Sequence, residues 1–335
     1  WDPPEALREA LAAYAAGEAA AFDYPPSEGL RDLREEIAAR RNVDPEAVIV
    51  TNGAGEANYL AMARALDRDE SEDVILADPT YPYYPGRTEM LGGRARYVPA
   101  ESDGALDPER VRETAGEATA CIVVNTPNNP TGAVYDADAM SELVAIAEVH
   151  DALLVSDETY DHLDLSGEFA SALAVDSAHR VVTNSFSKSL AITGFRVGYA
   201  VFPREHVDAA RTRHMLVNVA GSRPAQAAVL HALRETGPEY YADSRARLRE
   251  RVGTFTGALA SIGAEYVEPA GGFYVLARLP GFPGTMENAE RLIEEVGVAV
   301  MPGETFGETR KEWFRFALCT PRVEEAGRRL AARFG

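Results

Sequence analysis

Residues 180–201 have the sequence RVVTNSFSKSLAITGFRVGYAV, which we interpret as two strands joined by a polar turn. Arg180–Asn184 and Val197–Val201 are short and rich in β-branched residues, as strands are. The turn between them carries Lys188 among serine residues. Because ligands of parallel α/β sheets bind where strands end and loops begin, this turn is a candidate ligand site.

Short apolar runs alternate with helical patterns in the residues before this stretch. The further predicted strands are Ala47–Thr51, Asp73–Ala77, Arg94–Val98, Ala120–Asn125 and Leu153–Ser156. The predicted helices between them are Glu56–Leu66, Tyr84–Leu91, Pro108–Thr114 and Ala137–His150. This alternation predicts an α/β fold with a mostly parallel, seven-stranded sheet that is covered by helices on both faces.

From about Arg204 the pattern is helical, into Leu233 and again over Ala242–Ser261, before a short α+β segment. The predicted strands of that segment are Tyr274–Ala277, Val298–Val300 and Phe314–Leu318. Its predicted helices are Met286–Val296 and Val323–Arg333. We therefore predict a large domain at 30–225 and a smaller α+β domain at 226–335. We expect the N-terminal segment, 1–29, to pack on the small domain.

The composition limits the classes of partner. The chain has 53 acidic and 33 basic residues and a net charge of -20, so nucleic acid and anionic membranes would repel its surface. No apolar run is long enough to cross a bilayer, and the six histidines show no metal-ligand spacing. Cys121 and Cys319 each lie in an apolar stretch, and we interpret them as buried thiols in a reducing compartment, the cytoplasm.

Three further strand ends lead into loops with special residues. Ala54 and Gly55 lie where a strand leads into a helix, so that free backbone N–H groups can bind a phosphate. Tyr81 stands between two prolines, where its ring can stack on a flat group. Asn129 lies in a rigid loop, PNNPTG at 127–132, that presents a hydrogen-bond donor. For each of the three loops a purely structural role is the alternative.

Charged residues follow two of the buried strands. Asp157 is costly to bury unless a cation, such as a protonated ring nitrogen, faces it, and a capping role is the alternative. The hydroxyls of Ser185 and Ser187, with Arg196, can hold a phosphate. Lys188 lies near apolar strands, which should lower its pKa and favour Schiff-base chemistry, and an exposed surface lysine is the alternative.

Nine stretches, in order along nearly the whole chain, resemble class I/II aminotransferases, the fold-type I enzymes that use pyridoxal 5'-phosphate (PLP). They are YPPSEGLRDLREEI at 24–37, TNGAGEA at 51–57, DPTYP at 78–82, PNNPTG at 127–132, SDETY at 156–160, SFSKSLAITGFRVGY at 185–199, PAGGFYV at 269–275, VAVMPGETFG at 298–307 and FRFAL at 314–318. PNNPTG combined with the serine–lysine motif and its downstream arginine is the most specific part. The resemblance implies amino-group transfer between an L-amino acid and a 2-oxo acid, with glutamate and 2-oxoglutarate as the expected pair.

The resemblance also implies a role for each matching residue. Lys188 would form the Schiff base with PLP and then act as general acid and base, and Asp157 would pair with the pyridine nitrogen. Arg315 would bind the substrate α-carboxylate, and Asn129 is the second implied substrate-binding residue. The other implied contacts are Asn129 and Tyr160 at the phenolic oxygen, Tyr81 against the ring, and Ala54, Gly55, Ser185, Ser187 and Arg196 at the phosphate.

Tyr24 matches a tyrosine that, in this family, reaches the phosphate of the neighbouring subunit, which implies a homodimer with shared active sites. A lyase, decarboxylase or synthase on the same scaffold is the alternative activity, although Arg315 favours transamination because it would hold the carboxylate. The second substrate stays open between aspartate, an aromatic amino acid and histidinol phosphate. No second substrate arginine is assigned, and Arg223 is a candidate if its loop crosses the dimer interface. Tyr14, Tyr83 and Tyr84 are candidates to line the substrate pocket, with packing as the equal alternative.

The basic residues are almost all arginine, since only Lys188 and Lys311 are lysines. A strongly acidic, lysine-poor surface predicts a salt-loving host, because salt screens the repulsion between like charges. The midpoint of thermal unfolding should therefore rise along a series of salt concentrations. A midpoint that does not rise would favour the alternative, an ordinary acidic protein.

Overall fold

The computed structural model describes residues 1–68 and 71–335. Its strands are β1 Val48–Thr51, β2 Asp73–Asp78, β3 Arg94–Pro99, β4 Thr119–Asn125, β5 Leu153–Asp157, β6 Arg180–Ser185, β7 Gly198–Val201, β8 Glu265–Tyr266, β9 Tyr274–Arg278, β10 Met301–Pro302 and β11 Phe314–Ala317. Its helices are α1 Glu5–Ala15, α2 Arg31–Arg41, α3 Ala54–Leu66, α4 Tyr83–Met90, α5 Pro108–Thr114, α6 Ala137–Val149, α7 Phe186–Ser189, α8 Arg204–Asn218, α9 Arg223–Glu235, α10 Pro238–Ser261, α11 Met286–Arg291, which a π-helical turn at Leu292–Val296 continues, and α12 Val323–Phe334. None of the helices within these residues has both the length and the apolar composition that a membrane span requires.

Strands β1 to β7 form one sheet in the order β1-β7-β6-β5-β4-β2-β3. The pairs from β6 through β5, β4 and β2 to β3 are parallel, and β7 is antiparallel to both β6 and β1. The prediction of a mostly parallel, seven-stranded sheet is therefore confirmed. The predicted ends of all seven strands agree with the observed ends to within one residue.

Each face of this sheet packs on its own apolar core, because successive residues of a strand point to opposite faces. Ile75 and Ile122 belong to the core that α2, α6 and α9 cover. Their neighbours Val74 and Cys121 belong to the core that α3 and α8 cover. The central strands are buried on both sides for this reason, which explains why their sequences are apolar throughout.

The small sheet has the order β10-β11-β9-β8, is antiparallel, and packs with α10 and α12 around a third core. The strand predicted at Val298–Val300 is wrong, since pairing with β11 begins only at Met301. Val298 instead serves the preceding helical turn: its N–H donates to the Leu292 carbonyl at 3.1 Å, and its side chain is buried in the core. A short apolar run does not reveal whether its backbone pairs with a strand.

The N-terminal helix packs differently from our expectation. Leu7 of α1 lies in the same core as Ala228 of α9, beneath the large sheet. Only Trp1 packs against the small-domain core, edge-on to Phe273 with 6.3 Å between ring centroids. The predicted boundary after residue 225 falls inside α9, whose buried face belongs to the large core, so the packing favours a boundary after α9. The domain limits stay a prediction.

A buried ion pair fixes α2 to the end of β5. The guanidinium of Arg41 contacts the carboxylate of Glu158, and its Nη1 lies 2.9 Å from Oδ2 of Asp161. Glu158 also accepts hydrogen bonds from the Ser171 hydroxyl and from the Ala172 N–H group, at 3.0 Å for the latter. A buried carboxylate requires such partners, and these hold the residue directly after Asp157 in place.

Candidate active site

One open cavity lies at the carboxyl ends of β4, β5 and β6, beside the first turn of α3. The predicted site residues that line it are Ala54, Gly55, Tyr81, Asn129, Asp157, Tyr160, Ser185, Ser187, Lys188 and Arg196. Of the candidate pocket tyrosines, Tyr83 and Tyr84 line it as well. Lining residues without a predicted role are Asn58, Arg87, Asn125, Thr159, Thr193 and Tyr274. Parallel strands bring their carboxyl-terminal loops to one edge of the sheet, which is why residues so distant in sequence meet here.

The carboxylate of Asp157 lies at the floor of the cavity and is almost buried. Its Oδ2 accepts from the amide of Asn58 at 2.6 Å and from the hydroxyl of Tyr84 at 2.8 Å, and its Oδ1 accepts from the Thr159 N–H group at 3.1 Å. The hydroxyl of Thr183 donates to the Asn58 amide oxygen at 2.6 Å, which fixes the orientation of that amide. These donors stabilise a negative charge, and a cation in the cavity would complete its surroundings.

A second set of hydrogen bonds shapes the loop after β4. The Asn125 amide donates to the Asp157 carbonyl at 2.9 Å, and its oxygen accepts from the Asn129 N–H group at 2.8 Å. The side-chain oxygen of Asn129 accepts from Nη1 of Arg315 at 2.9 Å. Since Arg315 belongs to β11, this bond joins the small domain to the large one at the edge of the cavity.

Tyrosine side chains form the walls. The hydroxyls of Tyr160 and Tyr274 lie 3.3 Å apart, and burial raises the pKa of Tyr160 well above its ordinary value. The ring of Tyr81 meets that of Tyr84 edge-on at 6.0 Å, and burial raises the pKa of Tyr81 to about 12. At neutral pH both Tyr81 and Tyr160 therefore keep their protons and can donate hydrogen bonds.

Lys188 lies in α7, the single helical turn after β6. Ser185 caps this turn, because its hydroxyl accepts from the Ser187 N–H group at 3.1 Å and donates to the Ser187 hydroxyl at 2.8 Å. The cap holds Lys188 where its half-buried side chain places Nζ 5.6 Å from the centroid of the Phe273 ring.

The surroundings of Lys188 favour its neutral form. Burial is the main cause that lowers the pKa of Lys188 below the ordinary value of 10.5. The charges of Arg196 and Arg315 lower that pKa further, whereas Cys319 acts in the opposite direction. The neutral amine, which is the form that attacks carbonyl groups and accepts protons, is therefore available at lower pH than for a lysine in water.

Arg196 is held beside the turn that precedes α3. Its Nη1 donates to the carbonyl of Thr193 at 2.9 Å and to the hydroxyl of Ser187 at 3.4 Å, and its Nη2 donates to the carbonyl of Asn52 at 3.0 Å. Its φ of 56° lies in the left-handed region, which residues other than glycine rarely adopt. A Cβ on Gly53 would overlap the guanidinium, so only glycine lets this turn approach Arg196 so closely.

Two predicted residues lie outside the lining of the cavity. Arg315 borders it through Asn129, with its guanidinium carbon 4.3 Å from the ring centroid of Tyr274 and 5.0 Å from that of Phe306. Tyr24 is 83% exposed and does not line the cavity. The cavity of one chain is thus built without Tyr24, which is accessible to a second copy.

The two cysteines differ in burial. Cys121 is buried in β4, and burial raises the pKa of its thiol to about 12. The expectation that Cys319 is buried is wrong, because it lies two residues beyond the end of β11, outside the small sheet. Both thiols are free.

Comparison with known proteins places this geometry in a family. The family model for aminotransferase class I and II matches residues 2–332. The chain belongs to this aminotransferase family.

The aspartate/prephenate aminotransferase of Thermus thermophilus is 35% identical, with 100% of this chain and 89% of the relative covered. The aspartate aminotransferase of Bacillus subtilis is 32% identical, with 92% and 82% covered. The solved structure of the Thermus thermophilus aspartate aminotransferase with maleate superposes with a TM-score of 0.91 at 35% identity, and covers 100% of this chain and 88% of that one. The predicted fold-type I architecture, PLP as cofactor and an amino acid aminotransferase activity are thereby confirmed.

The cavity of this aminotransferase fits PLP. A buried carboxylate, Asp157, has its protein donors on one side and the cavity on the other. Arg196 and two serine hydroxyls stand beside the first turn of α3, where helical N–H groups are free to bind an anion. The neutral form of Lys188 suits a bond to an aldehyde carbon. This donor set matches a flat cofactor with a ring nitrogen, an aldehyde and a phosphate.

Helical spacing was the signal that could have identified the missed residues. Asn58 follows Ala54 by four residues in α3, and Arg87 follows Tyr84 by three residues in α4. Residues three or four apart lie on the same face of a helix. When one helical residue lines a site, the residue one turn later is therefore expected to face the same site.

A buried ion pair supports the turn that Arg196 contacts in this aminotransferase. His214 of α8 is completely buried, with Nδ1 2.6 Å from Oε1 of Glu56 and Nε2 2.8 Å from the carbonyl oxygen of Ser27. Oε2 of Glu56 accepts from the Asn52 N–H group at 2.6 Å, and Oε1 also contacts the amide of Asn218. Since both ring nitrogens of His214 face acceptors, both need a proton, and the imidazolium fits this site better than the neutral ring.

The charge of His214 makes this support dependent on pH. Burial acts to lower the pKa of His214, but the hydrogen bond and charge of Glu56, with the Ser27 carbonyl and the charge of Glu28, outweigh it, so the pKa is raised above its ordinary value of 6.5. A group with a raised pKa in the folded state stabilises the fold fully at pH values below its unfolded pKa. This contribution is lost as pH rises through the folded pKa.

His214→Gln should therefore remove a pH-dependent part of the stability. The difference in free energy of unfolding between the unmodified protein and the variant should be largest below about pH 6.5 and shrink as pH rises through the raised pKa. Urea unfolding at a series of pH values measures it. His231→Gln, at an exposed position of α9, is the matched control and should show no such trend. A difference for His214→Gln that stays constant with pH would contradict a buried imidazolium.

Proposed function

We propose that this aminotransferase uses glutamate and 2-oxoglutarate as one substrate pair, and that the transfer takes place in the cavity around Lys188. The observation that carries the proposal is that Lys188, with its lowered pKa, shares this cavity with Asp157, while Arg315 stands at its edge. Relatives named for aspartate, and a related structure with maleate, support a dicarboxylic substrate.

The residues around the cavity would hold PLP along its length. The proposed contacts are Asp157 at the ring nitrogen, Tyr81 against the ring face, Asn129 and Tyr160 at the phenolic oxygen, and Ala54, Gly55, Ser185, Ser187 and Arg196 at the phosphate. When bound, PLP accepts the electrons that are released as a bond to the substrate α-carbon breaks. The carboxylate of Asp157 would maintain the proton on the ring nitrogen, which strengthens that electron acceptance.

Arg315 would bind and orient the substrate. Its guanidinium is positioned by the Asn129 oxygen and by the rings of Tyr274 and Phe306. Among the described residues its buried Nε has no hydrogen-bond partner. A bidentate pair with the α-carboxylate would use such free N–H groups, and buried guanidinium donors otherwise cost free energy.

Lys188 would move the proton at the substrate α-carbon. Its lowered pKa supplies a neutral amine that could remove this proton, and the resulting ammonium could return it to the carbon bonded to the other side of the substrate nitrogen. The cap from Ser185 holds the turn of Lys188 in place, so that the amine stays within the cavity during both transfers.

With PLP bound, the purified protein should show a visible absorption band that L-glutamate bleaches and 2-oxoglutarate restores. Lys188→Ala should slow this conversion by on the order of 10²–10⁴-fold, the contribution of a positioned acid and base. Lys311→Ala is the matched control, because Lys311 is the other lysine and is exposed beside Glu308. Stopped-flow absorbance measures both rates.

A band that responds to no amino acid would contradict transamination and favour a lyase, decarboxylase or synthase. A band that responds to other amino acids but not to glutamate would contradict only the proposed substrate pair.

A homodimer with shared active sites is the second part of the proposal. The end of α8 exposes a run of apolar side chains, with Leu216 77% and Val219 59% exposed, as is typical of a protein–protein interface. The segment that carries Tyr24 lies beside it, because His214 contacts the Ser27 carbonyl and Arg223 donates to the Asp23 carbonyl at 3.2 Å. Arg223 thus supports the Tyr24 segment. Tyr24 of one copy would reach the phosphate in the other.

Leu216→Glu should convert a dimer to a monomer in sedimentation experiments and reduce activity, because it introduces a charge into an apolar interface. Val149→Glu, at an equally exposed apolar position of α6, is the control and should change neither property. Mixing Lys188→Ala with Tyr24→Phe subunits should restore activity, since one site of each hybrid dimer carries neither change. A monomer that remains fully active at high dilution would contradict the shared site.

We further propose a cytoplasmic location in a salt-rich host. The proposal is supported by the two free thiols and by the net charge of -20. Thermal unfolding along a series of salt concentrations tests the salt-rich host. Fractionation of the source cells tests the cytoplasmic location.

A further inference from the structure

The cavity contains an arginine that the proposed function does not use. Arg87 lies in α4, three residues after Tyr84, and lines the same cavity as Lys188 and Arg196. Its side chain is neither fully buried nor fully exposed. A guanidinium in this position can reach a ligand in the cavity without losing all contact with water.

Arg87 differs from the other arginines of the site in its hydrogen bonds. Arg196 donates to three oxygen atoms of the protein, and Arg315 donates to Asn129. Over residues 1–68 and 71–335, by contrast, the guanidinium of Arg87 has neither a hydrogen-bond acceptor nor an acidic partner. Arg87 is therefore the arginine of this site whose guanidinium N–H groups are not used by protein acceptors among the described residues.

One contact and one neighbouring backbone define the position of this guanidinium. Its central carbon lies 5.2 Å from the ring centroid of Tyr83, a cation–π arrangement. Its Nη2 lies beside the first turn of α3, where a Cβ on Gly55 would be only 3.2 Å away. The guanidinium therefore lies between the Tyr83 ring and the start of α3, with its N–H groups available to a ligand.

We propose that Arg87 is an additional anion-binding residue of this cavity, and that it binds a phosphate or carboxylate group of a ligand beside Gly55. A planar guanidinium with unused N–H groups forms bidentate pairs with such anions. The absence of a side chain at residue 55 lets this guanidinium approach the first turn of α3, which lines the same cavity.

Two ligands of this aminotransferase carry such a group. The first is the phosphate of PLP. The second is the distal carboxylate of a dicarboxylic substrate, and this source rests on the proposed function. Both sources use the same chemistry, so the experiment has one arm for each.

Arg87→Gln removes the charge while keeping a similar size. In the first arm, the protein freed of cofactor is titrated with PLP and with pyridoxal, which lacks the phosphate. If Arg87 binds the phosphate, the variant should bind PLP roughly tenfold or more weakly and pyridoxal as before, because a hydrogen bond to a charged group is lost. In the second arm, the protein saturated with PLP is titrated with maleate and with propionate. If Arg87 binds the distal carboxylate, only maleate binding should weaken, by a similar factor.

Two control variants separate charge from structure. Arg87→Lys keeps the charge and should recover part of the affinity that Arg87→Gln loses. Arg31→Gln, on the exposed face of α2, should leave all four affinities unchanged.

The proposal is overturned if Arg87→Gln binds all four ligands as tightly as the unmodified protein. Equal weakening of PLP and pyridoxal, or of maleate and propionate, also overturns it, since that pattern indicates a general disturbance of the cavity. Unmodified protein that binds PLP but does not bind maleate would contradict the dicarboxylic substrate, and the first arm would then decide the role of Arg87 alone.

Discussion

One buried carboxylate, that of Asp157, organises the active site of this aminotransferase. A charge in the interior is stable only when donors surround it, and here the donors come from α3, through Asn58, and from α4, through Tyr84. The Asp157 carbonyl also accepts from Asn125 at the end of β4. The cost of burying a single charge therefore ties two helices to the end of β5, and the backbone bond from Asn125 adds β4. The cavity that contains Lys188 is the space that these elements enclose.

The other buried carboxylates stabilise the elements around the site and do not face the cavity ligand. Glu158, the neighbour of Asp157 in sequence, pairs with Arg41 and thereby fixes α2 to the sheet. The His214–Glu56 pair similarly supports the turn before α3. These carboxylates are satisfied by protein groups alone. Within the described residues Lys188 has no acidic partner, and its burial favours the neutral amine that the proposed chemistry needs.

The sequence predicted best what the ends of strands determine. The residues at the ends of β4, β5 and β6 converge because the carboxyl ends of parallel strands lie at the same edge of the sheet. Short apolar runs and the loops after them were therefore sufficient to predict these site residues. Asn58 and Arg87 were missed because their place depends on which helix faces turn toward the cavity. The contact between Arg315 and Asn129 joins residues 186 apart in sequence and depends on how the domains pack. The strand expected at Val298–Val300 failed for a related reason, since only pairing with β11 defines a strand there.

The attachment of PLP to Lys188 is the claim on which the proposed chemistry depends, and trapping it with borohydride tests it most directly. Reduction would convert the bond between the lysine and the cofactor into a stable amine, which mass spectrometry of the digested protein can locate. The chain has only two lysines, Lys188 and Lys311, so the assignment is unambiguous. We predict the modification on the peptide that contains Lys188 and none on the peptide that contains Lys311. A folded protein supplied with PLP that carries no modification at Lys188 would contradict the proposed active site.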